Sequence, residues 1–342
     1  MGHVAPSLAV AEALRARGVT VTFAGSRDRV EARLVPESGY AFDSFAIAGF
    51  PRRAGGELAR ALGLAAASPF ACARILARRR PNVVLGGGGY VAGPMVLAAW
   101  LKRIPAALTE ADATLGLANR LAAPFAQRVF LALPVAGRDS GKYYAVGRPV
   151  PSRSDAVPRT EARERLELPG DGPVVLVFGG SLGAWLLNDL AVDSWGASGP
   201  AVIHLCGERD YEALRSRVSR SDYRLLPFLD NIGLAYGAAD LAVARAGGSV
   251  WELAAAGLPA VLVPGEFATG GHQEKNARWF EQAGGAVVVP EADVRSIPQL
   301  VSELLADEAR LAHMRDSMRA AAKPDAAERI ADELLALATA RR

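Results

Sequence analysis

Cysteine is almost absent from this chain: among 342 residues only Cys72 and Cys206 carry a thiol, and they stand far apart. Two isolated thiols exclude a disulfide framework and a cysteine-based metal set, and they fit a reducing compartment such as the cytoplasm. Long apolar runs are lacking as well. Stretches such as Ala92 to Leu101 and Leu253 to Val263 are short or broken by Gly and Pro, below the ~18 residues a spanning helix needs. No basic region followed by an apolar core opens the chain, so no secretory signal is read there. No acidic pair has the spacing of a divalent-ion site, and neither a metal nor a cofactor is expected. Aromatic stacking platforms are missing beside the basic residues, which argues against nucleic acid.

What is present is size and apolar content. A chain of 342 residues with 51% hydrophobic residues exceeds one core and predicts two domains. Net charge is only +3, yet the segment from Phe50 to Arg80 holds seven arginines (Arg52, Arg53, Arg60, Arg74, Arg78, Arg79, Arg80) against Glu57. Phe50, Leu58, Leu62, Leu64, Phe70, Ile75 and Leu76 are interleaved with them. Arginine around exposed apolar residues is what an anionic membrane surface attracts; the same pattern also describes an amphipathic helix with a solvated basic face. Charge reversal at Arg74, Arg78 and Arg79 is the expected way to separate the two.

Both halves alternate short strands and helices, the pattern of parallel sheets covered on both faces. In the first half, Pro6 to Arg17 reads as a helix, Val19 to Ala24 as a strand, and Ser26 as the cap of a helix reaching about Glu37. Phe42 to Ile47, Val83 to Leu85, Ala106 to Leu108 and Val129 to Leu131 follow as strands. In the second half the strands are Val174 to Phe178, Ala201 to Leu205, Arg224 to Leu226, Leu241 to Ala244, Ala260 to Val263 and Ala286 to Val289. The Pro- and Ser-rich stretch from Gly147 to Pro158 is the linker. Domains are expected at 1–147 and 148–322, with a last helix over 323–342 packing back on the first.

Glycine-rich turns mark where chemistry sits. Gly179 to Ala184, GGSLGA, joins a strand to a helix, and Arg245 to Gly257, RAGGSVWELAAAG, opens a helix with Gly247, Gly248 and Ser249. Unpaired N–H groups at such a helix start hold phosphate. Glu252 falls one turn later, where a carboxylate can accept from both hydroxyls of a ribose. Alternatively, Gly247 and Gly248 make only a tight turn and Glu252 is a solvated acid. A dehydrogenase would show G-x-G-x-x-G after its first strand, which this chain does not.

The ordered set of GHVAPSLAVAEALRARG near the start, GGGGYVAGP at Gly86 to Pro94, GRPV at Gly147 to Val150, GGSLGA, RAGGSVWELAAAGLPAVLVP and HQEKNA from His272 resembles glycosyltransferase family 28. These are bacterial GT-B enzymes that convert lipid I into lipid II. The resemblance implies two Rossmann-like domains facing across a cleft, and inverting transfer of N-acetylglucosamine from its UDP ester to the muramoyl 4-hydroxyl. It also implies residence at the cytoplasmic face of the membrane. By match to the family's motifs, Leu229 would read the uracil, Glu252 the ribose, Ser181 with Gly248 and Ser249 the diphosphate, and His272 and Gln273 the sugar. Arg148 and Arg245 match arginines near the donor. His3, after Gly2, matches the histidine of the family's N-terminal glycine loop and is the candidate base; Tyr90 and Glu110 would line the acceptor side. The family's His-Glu-Gln-Asn is here Thr109-Glu110-Ala111-Asp112, and Leu182 replaces a Gln, so Asp112 stands where an amide would touch the sugar. A related UDP-sugar transferase and a non-catalytic nucleotide-binding protein are the competing readings. Since a parallel sheet of this kind begins with a strand before its first helix, a Val/Ile-rich strand upstream of Met1 is expected.

Overall fold

The computed structural model describes residues 3–48, 55–139, 141–179, 184–265 and 271–340. The chain divides into two compact units, 1–151 with 324–342, and 152–323.

The first unit contains α1 (Val4–Ala16), β1 (Thr22–Ser26), α2 (Glu31–Glu37), β2 (Ala41–Phe45), α3 (Gly56–Arg79), β3 (Val84–Gly86), α4 (Gly89–Leu101), β4 (Ala106–Glu110), α5 (Leu117–Ala122), β5 (Arg128–Leu131) and β6 (Tyr143–Ala145). All strand pairs are parallel, in a two-stranded sheet β1-β2 and a four-stranded sheet β3-β4-β5-β6. Helix α1 is buried nearly all round because alanines alternate with Leu8, Val10 and Leu14 along it. The chain's final helix packs on it, with Ile330, Ala331 and Leu334 against Ala9, Val10, Ala13, Leu14 and Phe130. Arg17 with Asp332 and Arg128 with Glu333 flank that contact.

Two local readings change. Ser26 ends β1 instead of capping a helix, and its N–H donates to Glu31 Oε1 at 3.2 Å. The strand also begins later than the apolar run suggests. Val19 and Val21 pack against the α1 core, while pairing with β2 runs from Thr22↔Ala41 to Ser26↔Phe45.

The second unit contains α6 (Arg159–Arg165), β7 (Val174–Phe178), α7 (Trp185–Trp195), β8 (Ala201–Leu205), α8 (Glu208–Leu214), β9 (Tyr223–Leu226), α9 (Ile232–Ala238), β10 (Leu241–Ala244), α10 (Ser249–Ala256), β11 (Ala260–Leu262), α11 (His272–Gln282), β12 (Ala286–Val288), α12 (Ile297–Ala306) and α13 (Glu308–Ala321); α14 (Ala326–Thr339) is the final helix of the first unit. The sheet of the second unit runs β12-β11-β10-β7-β8-β9, all parallel. Strands β7, β8 and β10 are buried at every residue, which is why they read as unbroken apolar runs. Strand order reverses between β7 and β10, and loops at the carboxyl ends of strands beside such a reversal form the binding crevice of open α/β sheets.

One polar residue inside this core has a measurable consequence. His204, on β8, is fully buried and bonds Tyr223 Oη through Nδ1 at 2.8 Å and Asn188 Oδ1 through Nε2 at 3.0 Å. Asn188 spends its amide N–H groups on the Cys206 carbonyl and Asp210, so its Oδ1 must accept and the imidazole carries its proton on Nε2. Burial lowers the His204 pKa from 6.5 to about 3. Between those values the unfolded chain takes up a proton that the folded chain refuses, so stability is full above pH 6.5 and falls with decreasing pH. Urea-unfolding midpoints between pH 7.5 and pH 4 should show this loss, up to about 1.4 kcal/mol per pH unit. His204→Leu, less stable at neutral pH, should lose that component of the slope; an unchanged slope contradicts the assignment.

Candidate active site

In the first unit the Gly-rich turn after β3 and the start of α1 meet. Gly88 has φ +93°, and a Cβ there would lie 2.7 Å from His3 Nδ1; at Gly87 it would lie 2.2 Å from Ser7 Oγ. Glycine therefore lets this turn close onto His3. The imidazole keeps contact with solvent, but the protein packed around it lowers its pKa, against the opposing pull of Asp112 and Glu110. A neutral imidazole at pH 7 is the form a base requires. Tyr90, in the first turn of α4, accepts from Arg29 Nε at 3.0 Å.

Glu110, expected to line the acceptor side, is turned inward. It is 4% exposed, and its carboxylate accepts from the N–H of Asp112 (3.2 Å), the N–H of Gly116 (2.9 Å) and Asn119 Nδ2 (2.9 Å). A buried carboxylate requires such donors, so Glu110 organises the loop over 111–116. Arg148, 6% exposed, donates to the Ala111 carbonyl at 2.9 Å and so clamps the same loop, which presents half-buried Asp112. Asn119 was not singled out in the sequence; its place two residues after a loop glycine and leucine gives no signal.

In the second unit the loops after β10 and β11 converge beside the strand-order reversal. The N–H groups of Val250 and Trp251 close the first turn of α10 onto the carbonyls of Gly247 and Gly248, leaving the Gly248 and Ser249 N–H groups without a partner among the described residues. Asn276 Nδ2 reaches the Ala246 carbonyl at 3.4 Å, and Gln273 Oε1 accepts from Gly265 N–H at 2.8 Å, so the start of α11 is pinned to both loops. Gln273 thereby keeps its amide N–H groups as donors. His272 begins α11. Arg245 is paired with Glu291 and also donates to the Val263 carbonyl at 3.3 Å, so its charge is already balanced within the protein.

Glu252 lies half-buried on α10, and its Oε2 accepts from Tyr236 Oη at 2.8 Å. Leu229 is half-buried between β9 and α9, beside exposed Phe228. Gly2, Ser181 and Leu182 lie outside the described residues.

Two family patterns match the chain, the glycosyltransferase family 28 N-terminal domain over residues 1–131 and its C-terminal domain over 174–330. A UDP-N-acetylglucosamine–N-acetylmuramyl-(pentapeptide) pyrophosphoryl-undecaprenol N-acetylglucosamine transferase from Halothermothrix orenii is 38% identical, across 94% of this chain and 92% of its own. The protein of the same name from Salinibacter ruber is 41% identical, across 98% and 94%. Among solved structures, Acinetobacter baumannii MurG superposes with a TM-score of 0.77 at 28% identity, covering 98% of this chain and 96% of that one. The calicheamicin glycosyltransferase CalG4, at 19% identity and a TM-score of 0.68, shares the fold. The two α/β units with parallel sheets are thus those of a GT-B glycosyltransferase, and the chain belongs to glycosyltransferase family 28.

Proposed function

We propose that the chain transfers N-acetylglucosamine from UDP-N-acetylglucosamine to the muramoyl 4-hydroxyl of lipid I, with inversion at the anomeric carbon. Two things support this: the named relatives at about 40% identity over nearly the whole chain, and one arrangement in the second unit. N–H groups at the start of α10 that have no partner among the described residues stand one turn before a half-buried carboxylate, beside the strand-order reversal. The diphosphate takes the N–H groups and the ribose hydroxyls take Glu252; Gln273 and His272 serve the sugar, Leu229 the uracil, and Ser181 the diphosphate.

In the reaction the acceptor oxygen bonds the anomeric carbon as the bond from that carbon to the diphosphate breaks. The hydroxyl proton passes to a base, for which neutral His3 is the candidate. The negative charge stays on departing UDP, where oriented N–H groups stabilise it. Incubation with radiolabelled UDP-N-acetylglucosamine and a short-chain lipid I analogue should move label into the lipid. Label appearing only as free sugar would refute the proposal.

The acceptor implies work at a bilayer, on the cytoplasmic face where nucleotide sugars are found. No described helix is long and apolar enough to cross a membrane. Support for a surface contact comes from α3, α4 and α5, where Phe70, Trp100, Leu101, Leu117 and Leu121 are each more than half exposed, with exposed Arg74, Lys102, Arg103 and Arg120 on the same elements or their ends. Charge reversal at Arg78 and Arg79 does not isolate a membrane contact, because Arg78 Nη2 and Arg79 Nε hold Asp43, 9% exposed, at 2.6 and 2.7 Å. Both arginines keep the Asp43 carboxyl below its usual pKa, and reversing them would unbalance a buried acid. Phe70→Ser, Trp100→Ser and Leu117→Ser together should instead lower binding to anionic vesicles at least about tenfold, since each removes apolar contact area, with UDP affinity unchanged. Equal vesicle binding by variant and parent would remove this face from the account.

A further inference from the structure

We infer that Tyr236 is a positioning residue for Glu252, and that the pair sets the site's preference for a nucleotide carrying both ribose hydroxyls. The inference rests on the proposal that Glu252 meets the ribose, and it adds what holds the carboxylate there.

Tyr236 lies on α9 and Glu252 on α10, sixteen residues apart. The tyrosine is 3% exposed, and its ring packs at 6.4 Å from Phe178, the last residue of β7. Its O–H therefore has a fixed origin inside the core and, among the described residues, one partner, Glu252 Oε2 at 2.8 Å. Burial and the neighbouring Glu252 charge push the phenol pKa well above its usual value, so the hydroxyl remains a donor at any working pH. Among the described residues Glu252 has no other partner. An ionised carboxylate offers about four acceptor sites, of which Tyr236 takes one. The side chain is thus fixed at one oxygen and open at the other, the state in which a ligand's hydroxyls meet an acceptor already ordered.

A purely structural bond tying α9 to α10 would influence every nucleotide alike; a positioning bond would influence only those that use the carboxylate. Calorimetric titration of the full chain with UDP and with dideoxy-UDP, which lacks both ribose hydroxyls, separates the two. The parent should bind UDP more tightly. Tyr236→Phe should lower UDP affinity about tenfold and dideoxy-UDP affinity by less than roughly twofold, as expected for loss of a hydrogen bond to a charged group. In a Glu252→Ala background the same change should cost nothing further.

If Tyr236→Phe binds UDP like the parent, or loses affinity equally for both nucleotides, the positioning role is overturned while Glu252 at the ribose survives. A parent that does not discriminate between the two nucleotides overturns both. Should Tyr236→Phe fail to fold, Glu252→Gln keeps an acceptor for the tyrosine but turns a donating amide toward the ligand. It should abolish the preference for UDP, and a retained preference would overturn the inference.

Discussion

Glu252→Ala should weaken UDP binding by about 1–3 kcal/mol, roughly five- to 150-fold, because ribose hydroxyls lose a charged acceptor and regain only water. The substitution falls on a helix that remains packed without it: Val250, Trp251, Leu253 and Ala254 are the buried residues of α10, and Glu252 itself is half-exposed. Alanine is a good helix former. Loss of affinity with little change in melting temperature is therefore the expected signature, read by calorimetry and a thermal melt on the same sample. UDP affinity equal to that of the parent would take Glu252 out of the site.

The second large effect is expected in the packing of α9, at Gly237→Ala. A Cβ at Gly237 would lie 1.9 Å from the Val157 carbonyl oxygen, and one at Gly233, a helical turn earlier, 2.0 Å from that of Asp155. The obstructing atoms are backbone, in a segment that also donates from Val157 N–H to the Gly233 carbonyl at 3.0 Å. Neither side can yield by a rotamer change, so α9 must separate from residues 155–157. Overpacking of this kind costs about 3 kcal/mol, a fall of roughly 10 °C in melting temperature for a domain of this size. Since α9 also carries Tyr236, UDP affinity should fall with it. A melting temperature within a degree or two of the parent would show that the segment moves aside freely.

Much of the framework was legible because buried parallel strands write themselves as apolar runs. Val174 to Phe178 and Ala201 to Leu205 form strands with those bounds, and the glycine turns fall at strand ends. Where the reading failed, the deciding interaction came from elsewhere in the chain. Tyr143–Ala145 is a three-residue strand set by pairing with β5, with no periodicity of its own. Arg78 and Arg79 look solvated until Asp43, more than thirty residues earlier, is brought beside them. Glu110 reads as an acid lining the acceptor side, and only the loop folding back from Gly116 and Asn119 brings the internal donors that its carboxylate accepts from. Tyr236 sits in an otherwise apolar helix, where a tyrosine reads as core; its hydroxyl gains meaning only from Glu252 on the next helix.

The most direct test of the account is where UDP binds. A structure of the full chain with UDP should place the diphosphate on the Gly248 and Ser249 N–H groups and the ribose hydroxyls on Glu252, with the Tyr236 bond intact. A nucleotide bound elsewhere in the second unit, or a ribose turned away from Glu252, would contradict it.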